Sequence, residues 1–309
     1  MRILSALAWC GVALVSGPLL AAESAPNPAK AKAAALPLPP GVRVLRDVPY
    51  VKNGHERQQL DLYLPAGGKN LPLVVWIHGG GWQNGSKDRT PAQSLLTRGY
   101  AVASINYRLS SHAVFPAQLE DCKAAIRWLR THAREHGFDP DRIGVWGSSA
   151  GGHLVALLGV TGDVKEFDRG ENAGVSSRVQ AVVDFFGPAD LLTMGAQSAA
   201  NSRINHDAPD SPEAKLIGGA LQENKAQARR ASPITYVSKD DAPMLIVHGD
   251  ADPLVPLAQS ETFLVALKAA GVDASLYVVK GGGHGGFRDP EVDVRVRAFL
   301  DRVLAPAAR

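Results

Sequence analysis

Cysteine is scarce in this 309-residue chain: Cys10 and Cys122 are the two it has, too few for a disulfide framework. An excess of one charge is missing as well. Thirty-three Lys and Arg stand against 30 Asp and Glu, a formal net charge of +3. The charges are scattered without a basic stripe, which excludes a nucleic-acid groove. No internal repeat is present. With 45% hydrophobic and 20% charged residues, the composition excludes disorder and collagen and leaves a globular chain long enough for a large core.

The amino terminus carries a long apolar run. After Met1-Arg2 it extends from Ile3 to Leu20, is broken by Ser16-Gly17-Pro18, and ends in Ala21-Ala22-Glu23, the charge, apolar and small-residue order of a secretory signal. Residues 1–22 are therefore expected to be a signal peptide cleaved near Ala22, with the protein secreted or periplasmic in a bacterium. No membrane span should remain after cleavage; the alternative is an uncleaved anchor. Residues 23–40, ESAPNPAKAKAAALPLPP, have no periodic pattern and read as a disordered leader. The folded domain should run from residue 41 to 309 and hold one thiol, that of Cys122.

From Gly41 onward, strands and helices alternate. Residues 42–48 and 58–64 show period two, as expected of an antiparallel edge. Continuous apolar runs at 73–77, 101–105, 143–146, 179–185 and 244–247 read as strands covered on both faces, with a further strand at 275–279. Helical patterns fall at 89–98, 116–135, 150–159, 257–270 and 289–304. In the second of these, Leu119, Cys122, Ala125, Ile126 and Leu129 share a face, which makes Cys122 a small buried hydrophobe. The alternation argues for one mostly parallel, doubly wound sheet with helices on both faces. Residues 190–232 are too long for a bare connection and read as a small lid-like insertion, a polar cover in which His206 is expected to be solvated.

Gly147-Ser148-Ser149-Ala150-Gly151 fits G-x-S-x-G between a strand and a helix, the context in which that turn exposes a serine. Ser149 is the candidate nucleophile. His78-Gly79-Gly80-Gly81-Trp82 follows another apolar strand; there, backbone N–H groups can receive the negative charge that develops on an attacked carbonyl oxygen. The oxyanion hole is assigned to the amides of Gly80, Gly81 and Ala150, although which of Gly79, Gly80 and Gly81 donate stays open. A hydroxyl needs a base, and the base needs an orienting carboxylate. His248-Gly249-Asp250-Ala251-Asp252 and Gly283-His284-Gly285 both follow later strands, where doubly wound sheets place their sites. The order Ser149, Asp252, His284 is the expected one. Asp252 is preferred to Asp250, which follows a glycine turn and can serve by bonding backbone.

These motifs, together with Asn106-Tyr107-Arg108-Leu109, Phe115-Pro116, Glu120-Asp121, Asp139-Pro140-Asp141-Arg142-Ile143, Phe186-Gly187-Pro188 and the HGDADPLVP loop, carry a family resemblance. From about Val42 to Leu304 the chain resembles the α/β-hydrolase esterases of the group that includes bifunctional feruloyl/acetylxylan esterases and hormone-sensitive-lipase-like carboxylesterases. The resemblance implies an α/β-hydrolase fold of about eight strands and a serine carboxylic-ester hydrolase of short-chain or aryl esters. It implies Ser149, Asp252 and His284 as triad, Gly80, Gly81 and Ala150 as oxyanion hole, no metal or other cofactor, and a small-molecule ester as partner. The sequence departs from many relatives in having glycine on both sides of His284. Trp82, Tyr107 and Phe287 are candidate pocket residues, while Trp76 and Trp146 sit in apolar strands. Within the fold, position 149 would be Asp in a haloalkane dehalogenase and Cys in a dienelactone hydrolase. An aryl formamidase, which shares the His-Gly-Gly-x-Trp motif, and a non-catalytic hydrolase-fold binding module are the alternative readings.

Overall fold

The structure, a computed structural model, describes residues 38–199 and 202–305. The expected signal peptide and nearly all of the expected leader lie outside the described residues. In chain order the elements are β1 (Arg43–Pro49), β2 (Gln59–Leu64), β3 (Leu71–Ile77), β4 (Ala101–Ile105), α1 (Ala117–His136), β5 (Phe138–Ser148), α2 (Ala150–Val160), β6 (Ala181–Phe185), α3 (Met194–Gln197), α4 (Pro212–Ile217), α5 (Lys225–Arg230), β7 (Met244–Gly249), α6 (Leu257–Ala269), β8 (Ala274–Val279) and α7 (Pro290–Leu304).

Eight strands form one sheet in the order β1-β2-β4-β3-β5-β6-β7-β8. The pairs β1–β2 and β2–β4 are antiparallel and the others parallel. The apolar strands are central because both their faces are covered: Leu73, Val74, Val75 and Ile77 of β3 are wholly buried, as are Ile143 and Val145 of β5. On one face α1, α2 and α6 bring Leu119, Cys122, Leu154, Leu157 and Phe263 against the sheet. The other face receives Leu95 and Leu96 from a helical segment after β3, and Val296, Phe299 and Leu300 from α7. Burial pushes the Cys122 thiol well above its ordinary pKa, in keeping with an inert core position.

The segment expected to be helical at 89–98 is a 3₁₀ helix, Pro91–Arg98, capped by the Thr90 hydroxyl on the Ala92 amide. Its buried Ala92 and Leu95 lie three apart, the period of a 3₁₀ turn. Residues 190–232 are more than a polar cover. Leu191, Met194, Leu216, Leu221, Ala228 and Ala231 are buried in the core that includes α1 and α2, so α3, α4 and α5 form a cap with an apolar underside. Composition concealed this, because the apolar residues come in ones and twos among Ala, Gly and polar residues.

The chain leaves β3 toward β4 on one side and leaves β5 toward β6 on the other. The loops at the carboxyl ends of β3 and β5 therefore part, and a doubly wound sheet keeps a crevice at such a point. Ile77 of β3 pairs with Gly147 of β5, so the glycine loop after β3 and the serine turn after β5 leave the sheet side by side.

Candidate active site

Ser149 sits between β5 and α2 with φ 56° and ψ −122°, a left-handed conformation that is costly for a residue with a Cβ and common at functional turns. Its amide is held by the Phe185 carbonyl at 2.8 Å. The glycines on either side are required by space: a Cβ on Gly147 would stand 2.3 Å from the Gly151 carbonyl oxygen, and one on Gly151 would stand 2.1 Å from that of Ile77. Ala150 opens α2, so its N–H has no carbonyl of the preceding turn to bond.

Three side chains from separate loops form a hydrogen-bonded line. The Ser149 hydroxyl lies 2.9 Å from His284 Nε2, and His284 Nδ1 lies 2.7 Å from Asp252 Oδ2. With the carboxylate as acceptor, Nδ1 carries the proton and Nε2 is free to accept from the serine. Asp252 Oδ1 accepts the Leu254 and Val255 amides at 2.8 and 3.0 Å. Burial alone would raise the Asp252 carboxyl; hydrogen bonds from His248 and His284 reverse this and hold it well below the usual carboxylate range. His248 was not singled out as a functional residue by sequence, although it opens the HGDADPLVP motif. It is buried behind Asp252, with Nε2 2.9 Å from the Val255 carbonyl and 3.4 Å from Asp252 Oδ2, while Nδ1 meets the Ser260 hydroxyl at 2.7 Å. Asp250 takes the other role considered for it, accepting the Gly281 amide at 2.6 Å.

Glycine beside His284 has a local explanation. Gly285 has φ 85°, and a Cβ there would meet Phe186 Cζ at 3.1 Å. The Phe186 ring packs 4.5 Å from the His284 ring, filling space that a bulkier neighbour of the histidine would need.

The glycine loop after β3 is tied down from beneath. Arg57 donates through Nη2 to His78 Nε2 at 3.1 Å and to the Gly85 carbonyl at 2.9 Å. His78 Nδ1 then donates to the Gly79 carbonyl at 2.7 Å. Burial pushes His78 down to about 4, so the ring is neutral at pH 7. Tyr107 was expected in the pocket. It is instead fully buried, stacked 4.5 Å from His78 and donating its hydroxyl to the His78 carbonyl at 3.0 Å, a support for the loop. Trp82 does line the cavity. Its indole N–H donates to His153 Nδ1 at 3.2 Å, and His153 Nε2 donates to the Ala231 carbonyl of the cap at 2.6 Å. Burial lowers His153 to about 4 as well. Neither Gly80 nor Gly81 gives its N–H to another backbone group among the described residues.

A cavity of about 550 Å³ holds Ser149, His284 and the glycine loop, with Phe186, Leu254 and Val255 among its walls and Ile204, Pro212 and Glu213 reaching in from the cap. Phe287, the remaining pocket candidate, lines a neighbouring cavity with Trp76 and Trp146, because it packs on the outer side of Phe186 with ring centroids 5.6 Å apart. His206 is not solvated: it is 1% exposed and faces Glu213. Among the described residues no group of three or more His, Cys, Asp or Glu is placed to hold a metal ion. No helix among them is long and apolar enough to cross a membrane.

Sheet order, nucleophile turn and cap define an α/β-hydrolase. The chain belongs to the BD-FAE family, which it matches over residues 60–267. It is 32% identical over 265 residues to Esterase LipQ of Mycobacterium tuberculosis, an alignment covering 83% of this chain and 60% of that protein. The chain thus spans about three fifths of the length of this curated relative. Among solved structures, a truncated form of a carbohydrate esterase from gut microbiota is similar with TM-score 0.78 and 36% identity, over 85% of this chain and 97% of that one. Thermogutta terrifontis esterase 2 phosphorylated by paraoxon is similar with TM-score 0.66 and 27% identity, over 87% of this chain and 97% of that one.

Proposed function

We propose that the protein is a serine carboxylic-ester hydrolase acting on short-chain or aryl esters, acetyl or feruloyl esters of plant carbohydrate among them, through an acyl-enzyme on Ser149. The observation that carries the reading is the line Ser149–His284–Asp252, with contacts of 2.9 and 2.7 Å, beside the free amides of the glycine loop. His284 takes the serine proton as Oγ attacks the ester carbonyl, and Asp252 stabilises the imidazolium that forms. The oxyanion rests on the N–H groups of Gly80, Gly81 and Ala150. His284 returns the proton to the departing alcohol. A water molecule, deprotonated by the same ring, then releases the acid. The esterase names of the relatives, the carbohydrate esterase of the same fold, and the phosphorylation of a similar esterase by paraoxon support this reading. Export through a signal peptide cleaved near Ala22 is part of the proposal, and the mass of the mature protein tests it.

The central test is covalent. Paraoxon should inactivate the protein with one diethylphosphoryl group per chain, mapped by peptide mass to Ser149. Ser149→Ala should retain its circular dichroism spectrum and lose all but about a thousandth of the p-nitrophenyl acetate turnover. A Ser149→Ala protein with more than a few per cent of wild-type activity would refute the assignment.

A further inference from the structure

The cap carries a polar group that ester hydrolysis by Ser149 does not use. Glu213, on α4, lines the cavity that holds Ser149 and His284 and is 3% exposed. Its Oε2 has no hydrogen-bond partner among the described residues. Behind it, His206 brings Nδ1 within 3.1 Å of Glu213 Oε1. The ring is not aligned for a hydrogen bond there, so both of its nitrogens are also without hydrogen-bond partners. A buried carboxyl oxygen with no donor is destabilising, and an orphaned group of this kind requires an explanation, of which an absent ligand is one.

The surroundings fix the backbone of α4, which carries Glu213. The Ser211 hydroxyl caps α4 on the Ala214 amide, and the Leu216 carbonyl accepts the Phe115 amide at 2.7 Å. Pro212 lies against the oxyanion loop, 3.5 Å from where a Cβ of Gly81 would be. The nearby cavity walls, Ile204, Pro212, Leu254 and Val255, are apolar. The free oxygen therefore has apolar cavity walls and an unpartnered imidazole as neighbours, and no donor among the described residues bonds it. A cationic donor would have to leave water for a site walled by those apolar side chains, which is costly. A hydroxyl carries no charge, and the carbon-bound hydrogens around it suit the apolar walls.

We propose that Glu213 is a specificity-determining residue that accepts a hydrogen bond from a hydroxyl group of the ester, so that hydroxylated esters are preferred to their unsubstituted counterparts. The proposal rests on the ester-hydrolase reading. The hydroxyl belongs either to the alcohol or to the acyl part of the substrate, and two ester pairs separate these sources: ethyl acetate against 2-hydroxyethyl acetate, and ethyl butyrate against ethyl 3-hydroxybutyrate.

The quantity to measure is the ratio of kcat/KM within each pair, which cancels any general loss of activity. In the wild type, one pair should favour its hydroxylated member by on the order of tenfold, the scale of one buried hydrogen bond, and the pair that responds identifies the side. Glu213→Leu should bring that ratio to about one, and Glu213→Gln, which keeps a carbonyl acceptor in the same space, should restore part of it. No preference in either wild-type pair, or a preference that survives in Glu213→Leu, overturns the proposal; the wild-type ratios decide even if the leucine variant fails to fold. Hydrolysis of none of the four esters would instead remove the ester-hydrolase reading on which the proposal rests.

Discussion

Replacing Asp252 by Asn tests the line of hydrogen bonds at its hidden end. The outcome depends on which way the new amide faces, and the backbone decides that. Oδ1 accepts two N–H groups, from Leu254 at 2.8 Å and Val255 at 3.0 Å, so the asparagine carbonyl must take its place. The NH2 group is then left at the Oδ2 position, 2.7 Å from His284 Nδ1. There a donor meets a donor unless the imidazole changes tautomer, and with the proton on Nε2 the ring cannot accept from Ser149. The charge that would stabilise the imidazolium is lost too; two unit charges about 4 Å apart at an effective dielectric of about 20 interact by ~4 kcal/mol. Together these effects should lower kcat by about three to four powers of ten, or ~4–5 kcal/mol of barrier. Pre-steady-state release of p-nitrophenol from p-nitrophenyl acetate reads acylation directly, and urea titration checks that the fold persists. Asp250→Asn is the internal comparison: Asp250 supports a turn through the Gly281 amide, and its loss should cost less than tenfold. Acylation by Asp252→Asn within tenfold of the wild type, or a larger effect at Asp250, would refute the reasoning.

Two further outcomes follow from burial and backbone. His78 and His153 are each lowered from 6.5 to about 4 by burial, so between these values the unfolded chain binds protons that the folded chain refuses, and stability falls as pH falls. At about 1.4 kcal/mol per unit each contributes roughly 3 kcal/mol. Asp184, raised from 3.8 to about 6 by burial, acts with the opposite sign and offsets about one of the two. The urea midpoint should therefore drop between pH 7 and pH 4.5, and a midpoint that holds or rises contradicts the burial of these rings as neutral species. Gly285→Ala places a methyl group 3.1 Å from Phe186 Cζ at a residue with φ 85°, a strain of about 1–2 kcal/mol. Because Phe186 touches the His284 ring, kcat should fall by about tenfold, with KM changed less than kcat; an unchanged kcat would show that the ring is positioned by other contacts.

The parts of this molecule that could be read from sequence are those in which a local pattern and a tertiary requirement coincide. The apolar runs of β3 and β5 announce strands buried on both faces, and the glycines around Ser149 announce a turn in which no side chain fits. His284 and Asp252 were legible because each follows a strand end in the order the fold demands. Tyr107 was misplaced because an aromatic residue near a motif can face a cavity or support the loop beneath it, and only the position of His78 distinguishes these. The burial of His206 and Glu213 was invisible for a similar reason. Each is one polar residue in a polar stretch, and their meeting depends on how α4 folds back over the sheet.

The tie from Trp82 through His153 to the Ala231 carbonyl links three regions that belong to different stretches of chain: the loop after β3, the helix behind the nucleophile, and the cap. Its consequence concerns modularity. Cap insertions look like interchangeable accessories of a common scaffold, yet in this protein a transplanted cap would have to deliver a carbonyl oxygen to His153 Nε2. A donor cap without that oxygen would strand a buried N–H and release the indole that walls the cavity. Cap and oxyanion loop are therefore coupled in this protein, and cap exchange between relatives should succeed where this one main-chain acceptor is reproduced.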